Sequence, residues 1–443
     1  MAQPHFSQPA PLTKMADGTI KQINPFSGTE VWTVPGRANR PLTLADPHPQ
    51  PIKQDDHGHH CAFCTQRVLD SPPEKSRIVA TENGAKIVES SSVDDLATPW
   101  EFRRIPNLFE IVSFDYWTKN YGYSLPQDAA LRRDKYLSDP AGKSHILNVL
   151  QAKALASGMT REEWIRIPES ERLEGANAFF GGGHDVIVAK RHFVEGATMD
   201  NQLASSGTLT PAEHEWYMRL TIDAMRDLYA SNRYVRYVQA FQNWLKPAGA
   251  SFDHLHKQLV AIDQRSVNAE MEVAKVRSNP NMYNELGVDY AGFQNLVIAE
   301  NRHAVAFAGF GHRYPTLEVY SKSAEPLPWE QSHDEQRGMS DLLHALHVAT
   351  GAQVATNEEW HHKPIDVDMP MPWRILLKWR VSTLAGFEGG TKIYVNTIDP
   401  WTLRDRIVPR LLEARAQGEI ASTIQIATEC ACKVNSLRYN PYL

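Results

Sequence analysis

A chain of 443 residues and 50.0 kDa, 42% hydrophobic and 22% charged, has core enough for two to three soluble domains. Its net charge of −6 and sequence pI of about 6.3 supply no polybasic face, which argues against nucleic acid and anionic membrane as partners, and no apolar run reaches membrane-spanning length. Four cysteines in two close pairs, Cys61 with Cys64 and Cys430 with Cys432, are not a disulfide framework, and without a basic-then-apolar leader the expected setting is cytoplasmic.

Residues 1–22 open on the Pro- and Gln-rich MAQPHFSQPAPL and read as a disordered or extended segment. NPFSG is then a turn, EVWTV a short strand, and PGRANRP a loop carrying Arg37 and Arg40. Paired arginines on a loop are most often solvated charges, yet guanidinium forks are also the best side chains for phosphate. In DDHGHHCAFC a single CxxC leaves two positions of a tetrahedral ion to be filled from elsewhere, and His57, His59 and His60 stand nearby. A redox role would want a thioredoxin-like βαβ setting, which is not found.

WEFRRIPNLFEIV reads as strand and turn, with Asn107 in the turn. Residues 123–178 read as an insertion with helical pieces LRRDKYL, SHILNVLQAKALA and TREEWIRI, the last opened by a capping box at Thr160. The glycines of GGGHDVIVAKRHF precede a strand but no GK[ST] follows, so a phosphate-loop reading is weak. Thr210, Pro211 and Glu213 open a strong helix with Met218, Ile222, Met225 and Tyr229 at helical spacing.

The strand YVRYVQAFQN then delivers the chain to GASFDHLHKQLVAI, around which the whole reading turns. His254 and His256 stand two apart where a strand begins, so period-2 alternation puts both imidazoles on one face, able to serve as one metal ligand and one nucleophile. Gly249, Ala250 and Ser251 form a small-residue turn that lets an anion approach backbone N–H groups, and Gln258 adds an uncharged amide. The second half repeats the plan: two strands between Asn295 and Val319, NLVIAENRHAVAFAG and PTLEVY, a helix capped at Ser332 and Glu335, strands RILLKWRV and KIYVN, and a last helix opening at Asp399 and Pro400.

In order and spacing FQN, GAS and HLHKQ resemble the active-site segment of the galactose-1-phosphate uridylyltransferase-like family, the transferase branch of the histidine-triad superfamily, which reads F-x-N, G-x-S and H-P-H-x-Q. Leu255 replaces the usual proline, and Lys257 stands where Gly or Ser is common. The resemblance implies an α+β fold of two duplicated histidine-triad-like halves, each a mostly antiparallel sheet with helices packed on it, here over residues 23–285 and 286–443. It implies one structural zinc ion held by Cys61, Cys64, His192 and His254, with His256 as nucleophile and Gln258 beside it. Arg37, Arg40, Asn107, Asn243, Gly249 and Ser251 are the implied contacts to the nucleotide and its phosphates, and Phe387 and Glu388 of AGFEGG the sugar or subunit contacts. The family's second metal site has H-x-Q-x-H-x-H where this chain has PWRILLKWR, so with Leu376 and Lys378 in place of two ligands that metal is expected to be absent, although Trp360 and His361 still match.

The expected chemistry is nucleotidyl transfer between sugar 1-phosphates through a covalent nucleotidyl-histidine, with a nucleotide sugar and a sugar 1-phosphate as partners and a homodimer as the assembly. A phosphorylase of the same fold, acting on a nucleotide sugar or a dinucleoside polyphosphate, and a non-enzymatic zinc-stabilised scaffold are the competing readings.

Overall fold

A computed structural model describes residues 10–36, 48–53, 57–82, 84–90, 92–380, 382 and 384–441. Arg37 and Arg40 lie outside the described residues. The chain divides into two compact units, one from the described residues of Asp46–Gln242 and Ser251–Gln264, the other from those of Met1–Ala45, Asn243–Ala250 and Arg265–Leu443.

The chain opens on β1 (Leu12–Lys14), β2 (Ile20–Ile23) and β3 (Glu30–Thr33), an antiparallel ladder, so the segment expected to be disordered or extended carries two short strands. The unit holding Cys61 then contains β4 (Ser76–Thr81), β5 (Gly84–Glu89), β6 (Phe102–Pro106), β7 (His184–Ala189), β8 (Tyr237–Trp244) and β9 (His256–Ile262). They lie in the order β5-β4-β6-β7-β9-β8, every pairing antiparallel. Between β6 and β7 six helices are inserted: α1 (Phe114–Tyr121), α2 (Gln127–Ser138), α3 (Pro140–Ala156), α4 (Arg161–Arg166), α5 (Glu169–Glu174) and α6 (Asn177–Gly181). The three helical pieces read from the sequence fall in α2, α3 and α4. The set has its own core of Tyr136, Ile146, Val149, Leu150, Trp164, Ala176 and Phe179.

Helix α7 (Pro211–Ser231) begins at the expected Thr210–Glu213 capping box and covers one face of this sheet, stacking Tyr217 on Phe102 of β6 with ring centroids 4.9 Å apart. Lys257 of β9 is fully buried on that face, its Nζ 4.6 Å from the Tyr217 ring centre, while His256 and Gln258 point to the other by alternation. Asp185 of β7 is also fully buried, its carboxylate held by Lys75 Nζ at 2.7 Å and by Arg104 Nε at 2.7 Å.

In the other unit β10 (Val297–Glu300), β11 (Ala304–Ala308), β12 (Thr316–Ser321), β13 (Thr356–His361) and β14 (Arg374–Trp379) run antiparallel in the order β10-β11-β12-β14-β13. The run expected as one strand, NLVIAENRHAVAFAG, is two, because Asn301 Oδ1 accepts the His303 and Ala304 N–H groups and turns the chain between them. Helix α8 (Val267–Ser278) and the short α9 (Asp289–Phe293) precede these strands, and α10 (His333–Thr350) lies between β12 and β13. Later come α11 (Gly386–Thr391), β15 (Ile393–Asn396) pairing parallel with β3, α12 (Pro400–Gln417) and β16 (Gln425–Ile426) beside β10. The series β4, β6, β7, α7, β8, β9 in one unit and β10, β11, β12, α10, β13, β14 in the other share one plan, three strands, a helix and two strands, with the last two exchanged in sheet order. That is the duplicated α+β architecture expected from the sequence.

Candidate active site and metal centre

The CxxC forms a tight turn in which the Cys64 N–H donates to Cys61 O at 3.0 Å, closing both sulfurs onto one point. His192 follows the end of β7 and His254 stands two residues ahead of β9, and the antiparallel pairing of those strands brings the rings together. The four ligand atoms, Cys61 Sγ, Cys64 Sγ, His192 Nδ1 and His254 Nδ1, lie within 4.8 Å of one another.

The geometry tests whether a tetrahedral ion fits. Zinc bonds of about 2.3 Å to sulfur and about 2.0–2.1 Å to nitrogen give edges of about 3.8 Å for S–S, about 3.5 Å for S–N and about 3.3 Å for N–N. Here the S–S separation is 3.8 Å, the four S–N separations run from 3.4 to 3.9 Å and the N–N separation is 3.1 Å. His254 Nε2–H donates to Ala189 O at 2.6 Å, which leaves Nδ1 as the lone-pair nitrogen facing the cluster. The Cys64 thiol is held well below the usual range, first by the hydrogen bond from Cys61, while the hydrogen bond to Cys64, and burial after it, push Cys61 up. One thiol thus keeps the proton for the other, and a divalent cation would favour both as thiolates. The residues fit the ion; His57, His59 and His60 are outside the cluster, His60 lying edge-on to His192 with ring centroids 4.7 Å apart.

His256 opens β9, opposite Val188 of β7. Its Nδ1–H donates to the backbone carbonyl of His254 at 2.6 Å, so the remaining lone pair is on Nε2, which makes no hydrogen bond to a described residue. Burial pushes this imidazole down to about 4, and the ring is neutral at physiological pH. Phe63, carried by the CxxC turn, lies 5.3 Å from the His256 ring and 4.7 Å from Phe252, over a floor of Ile105, Val186 and Val188.

Gln258 is the next residue on the same face. Its Oε1 lies 3.0 Å from His184 Nε2 and 3.4 Å from Asn107 Nδ2. Asn107 was expected as a nucleotide contact. Its Oδ1 accepts the Phe109 N–H at 2.9 Å and its amide nitrogen faces Gln258 and His184, so it is committed within the site wall. Ser251, in the same unit, is exposed.

The remaining expected residues belong to the other unit. Asn243 Oδ1 accepts from Asn357 Nδ2 at 2.7 Å, and the same amide donates to Ala248 O at 2.8 Å, fixing the turn in which Gly249 takes φ +89°. Arg380 donates to Asn357 Oδ1 at 2.5 Å. Phe387 is half exposed, 6.4 Å from the Trp32 ring. Both oxygens of Glu388 accept from backbone, Ala385 N–H at 2.9 Å and Val395 N–H at 3.1 Å, which makes this carboxylate the cap of α11. Lys378 Nζ lies 2.5 Å from Glu359 Oε2, an ammonium where the sequence comparison expected a lost metal ligand, and Leu376 is buried.

Two site residues escaped the sequence reading, His184 and Phe63. His184 had a signal: in HDVIV it precedes Val186 and Val188 by two and four positions, on the strand that pairs with β9.

A family model described as a domain of unknown function, DUF4921, matches residues 15–439. The chain belongs to that family. Among curated proteins this DUF4921 chain is 24% identical over 227 residues to the galactose-1-phosphate uridylyltransferase of Thermotoga maritima, covering 46% of the chain and 69% of that protein. It is 26% identical over 180 residues to the ADP-glucose phosphorylase of Arabidopsis thaliana, covering 38% of the chain and half the length of that relative. The solved ADP-glucose phosphorylase of A. thaliana with bound ADP-glucose has the same fold, with a TM-score of 0.57 at 17% identity over 88% of this chain and 98% of that one. A galt-like protein from the same plant gives a TM-score of 0.54 at 17% identity, with the same coverages. The resemblance to the galactose-1-phosphate uridylyltransferase-like family therefore holds in both sequence and fold. Among the described residues no helix is long and apolar enough to cross a membrane.

Proposed function

We propose that this DUF4921 protein is a nucleotidyltransferase that moves a nucleoside monophosphate through a covalent bond to His256. The observation that carries the proposal is the tautomer: with Nδ1–H committed to the His254 carbonyl, Nε2 is the nucleophilic nitrogen and has no protein partner among the described residues. In the first step Nε2 attacks the α-phosphorus of a nucleotide sugar, the P–N bond forms, and the bond to the β-phosphate oxygen breaks to release sugar 1-phosphate. In the second step an acceptor oxygen attacks the same phosphorus, the P–N bond breaks, and the pair returns to Nε2. Ordering of the groups in line and donation to phosphoryl oxygens are the protein's contribution.

Cys61, Cys64, His192 and His254 would hold zinc, and with all four positions filled the ion would be a brace for the His254 backbone rather than an activator of water. Lys378 in its ion pair with Glu359 favours a C-terminal half without a metal of its own. Arg37, Arg40, Asn107, Asn243, Gly249, Ser251, Phe387 and Glu388 remain assigned to the substrate in this reading. A homodimer in the cytoplasm belongs to the same reading.

The acceptor is either a second sugar 1-phosphate or inorganic phosphate, and the ADP-glucose phosphorylase likeness favours testing both. Incubation with labelled UDP-glucose, ADP-glucose or diadenosine tetraphosphate should yield an acid-labile, alkali-stable adduct. Discharge by hexose 1-phosphate identifies a transferase and discharge by inorganic phosphate a phosphorylase, whereas no adduct with any donor would leave the zinc-stabilised scaffold.

A further inference from the structure

The wall of the site contains a hydrogen-bond chain whose direction is set by two backbone amides. Ile111 N–H, which can only donate, points at His184 Nδ1 at 3.1 Å. His184 is 1% exposed and burial lowers its imidazole below the usual range, so the ring is neutral and its one proton sits on Nε2. That Nε2–H must in turn donate, and its acceptor is Gln258 Oε1 at 3.0 Å. From the other side Phe109 N–H donates to Asn107 Oδ1 at 2.9 Å, which turns the Asn107 amide nitrogen toward the same Oε1 at 3.4 Å. The two nitrogens lie 3.0 Å apart, and because Ile111 N–H takes the only lone pair of the His184 ring, Gln258 Oε1 is the acceptor left to both donors. The Gln258 amide cannot flip without setting N–H against N–H, so its Nε2 with two hydrogens faces away from the pair and has no acceptor among the described residues.

We propose that His184, with Asn107, is a positioning residue that makes Gln258 an obligate hydrogen-bond donor to a phosphoryl oxygen at the His256 site. A free glutamine amide could turn either its oxygen or its nitrogen to the ligand. Here the oxygen is occupied from behind, so the site presents two N–H groups and no acceptor, which suits an oxyanion that gains charge as phosphorus is attacked. The inference rests on the nucleotidyl-transfer reading for its ligand, and on the hydrogen-bond chain alone for the orientation.

Two measurements on the full-length protein test it separately. In the first, ¹⁵N spectra of histidine-labelled protein, with His184 assigned through His184→Asn, should show the Nε2–H tautomer at pH 7. The Nδ1–H tautomer or an imidazolium would overturn the proposal whatever the protein catalyses. In the second, the single-turnover rate of nucleotide labelling is compared among four proteins. Gln258→Ala should slow labelling by about 10²–10³-fold, the range for loss of one oxyanion donor. His184→Asn keeps an acceptor for Ile111 N–H but does not reach Gln258, and should slow labelling by about 10-fold or more, in the maximal rate and not in KM. In the Gln258→Ala background the same change should cost less than twofold. Equal losses in the two backgrounds would show that His184 acts through general structure, and overturn the proposal. Unchanged metal content and circular dichroism certify each variant, and if His184→Asn fails that check, Asn107→Ala takes its place in the cycle. A wild type that accepts no label removes the reaction while the tautomer spectrum still decides His184.

Discussion

Replacing Cys64 with alanine takes away one of four ligands in a cluster whose edges match a tetrahedral ion, and the chain around it has little else to hold it. Residues 57–64 form turns without a strand or long helix, followed by a single 3₁₀ stretch, Thr65–Asp70, with no buried residue. Among the described residues their ties include the ligand atoms, Phe63 on its apolar floor, and the rings of His57 and His60 set edge-on to Phe193. An ion bound only by the folded state and held at 1,000 times its Kd stabilises that state by about 4 kcal/mol. For a unit of roughly 200 residues each kcal/mol is worth about 2–4 °C, so Cys64→Ala should melt about 8–16 °C below wild type. Calorimetry with and without a strong chelator, metal content by mass spectrometry, and amide exchange across residues 57–70 are the assays. Chelated wild type should fall to within a few degrees of the variant, and exchange should rise first in the 57–70 segment. Wild type that purifies without a stoichiometric metal, or that melts identically with chelator, would refute the reasoning.

Asp185→Asn strands Lys75 and Arg104 in a buried site, and breaking such a group by removing one partner should cost about 3–5 kcal/mol in urea unfolding. Glu110 accepts the Phe114 N–H at 3.0 Å through one oxygen while its other is buried without a partner, and burial pushes its carboxyl from 4.5 up to about 7. A carboxyl raised on folding holds its proton more tightly in the native state, so its stabilising effect is present below the unfolded value and is lost as pH rises through the folded one. Wild-type stability should therefore fall by roughly 3 kcal/mol between about pH 4.5 and 7 relative to Glu110→Gln, measured by chemical unfolding at each pH. In the inserted helices Trp164→Ala, opening a cavity among Ile146, Val149 and Leu150, should destabilise by about 3–5 kcal/mol, while the metal content of the Cys61 cluster stays unchanged.

The parts of the site that were legible in the sequence are those written as short local patterns. Cys61 and Cys64 are three positions apart, and His254 and His256 two, so local geometry alone brings each pair together; the resemblance supplied His192. His184 was not legible because its value depends on the β7–β9 register, which sets His184 opposite Val260 and within reach of Gln258, and on the Ile111 amide arriving from the loop after β6. The protein partners of Asn107 and Glu388 were not legible for the same kind of reason. Both are polar residues at turns, where backbone amides compete for their oxygens, and in this fold the amides of Phe109, Ala385 and Val395 take them. In the second half the β10–β11 turn hid inside NLVIAENRHAVAFAG, where the four polar residues Glu300, Asn301, Arg302 and His303 were read as part of one continuous strand. Strand β13 was not read from TNEEWH, whose two glutamates mask a period-2 pattern in which Thr356, Glu358 and Trp360 are buried.

The central claim is a phosphorus–nitrogen bond at His256. The direct measurement is peptide mass spectrometry of the protein after brief exposure to a nucleotide sugar, kept alkaline through digestion. The account predicts one nucleoside monophosphate on the peptide containing His256, absent from His256→Gly although that variant keeps its metal. A nucleotide on any other residue, or an undiminished adduct in His256→Gly, would contradict it.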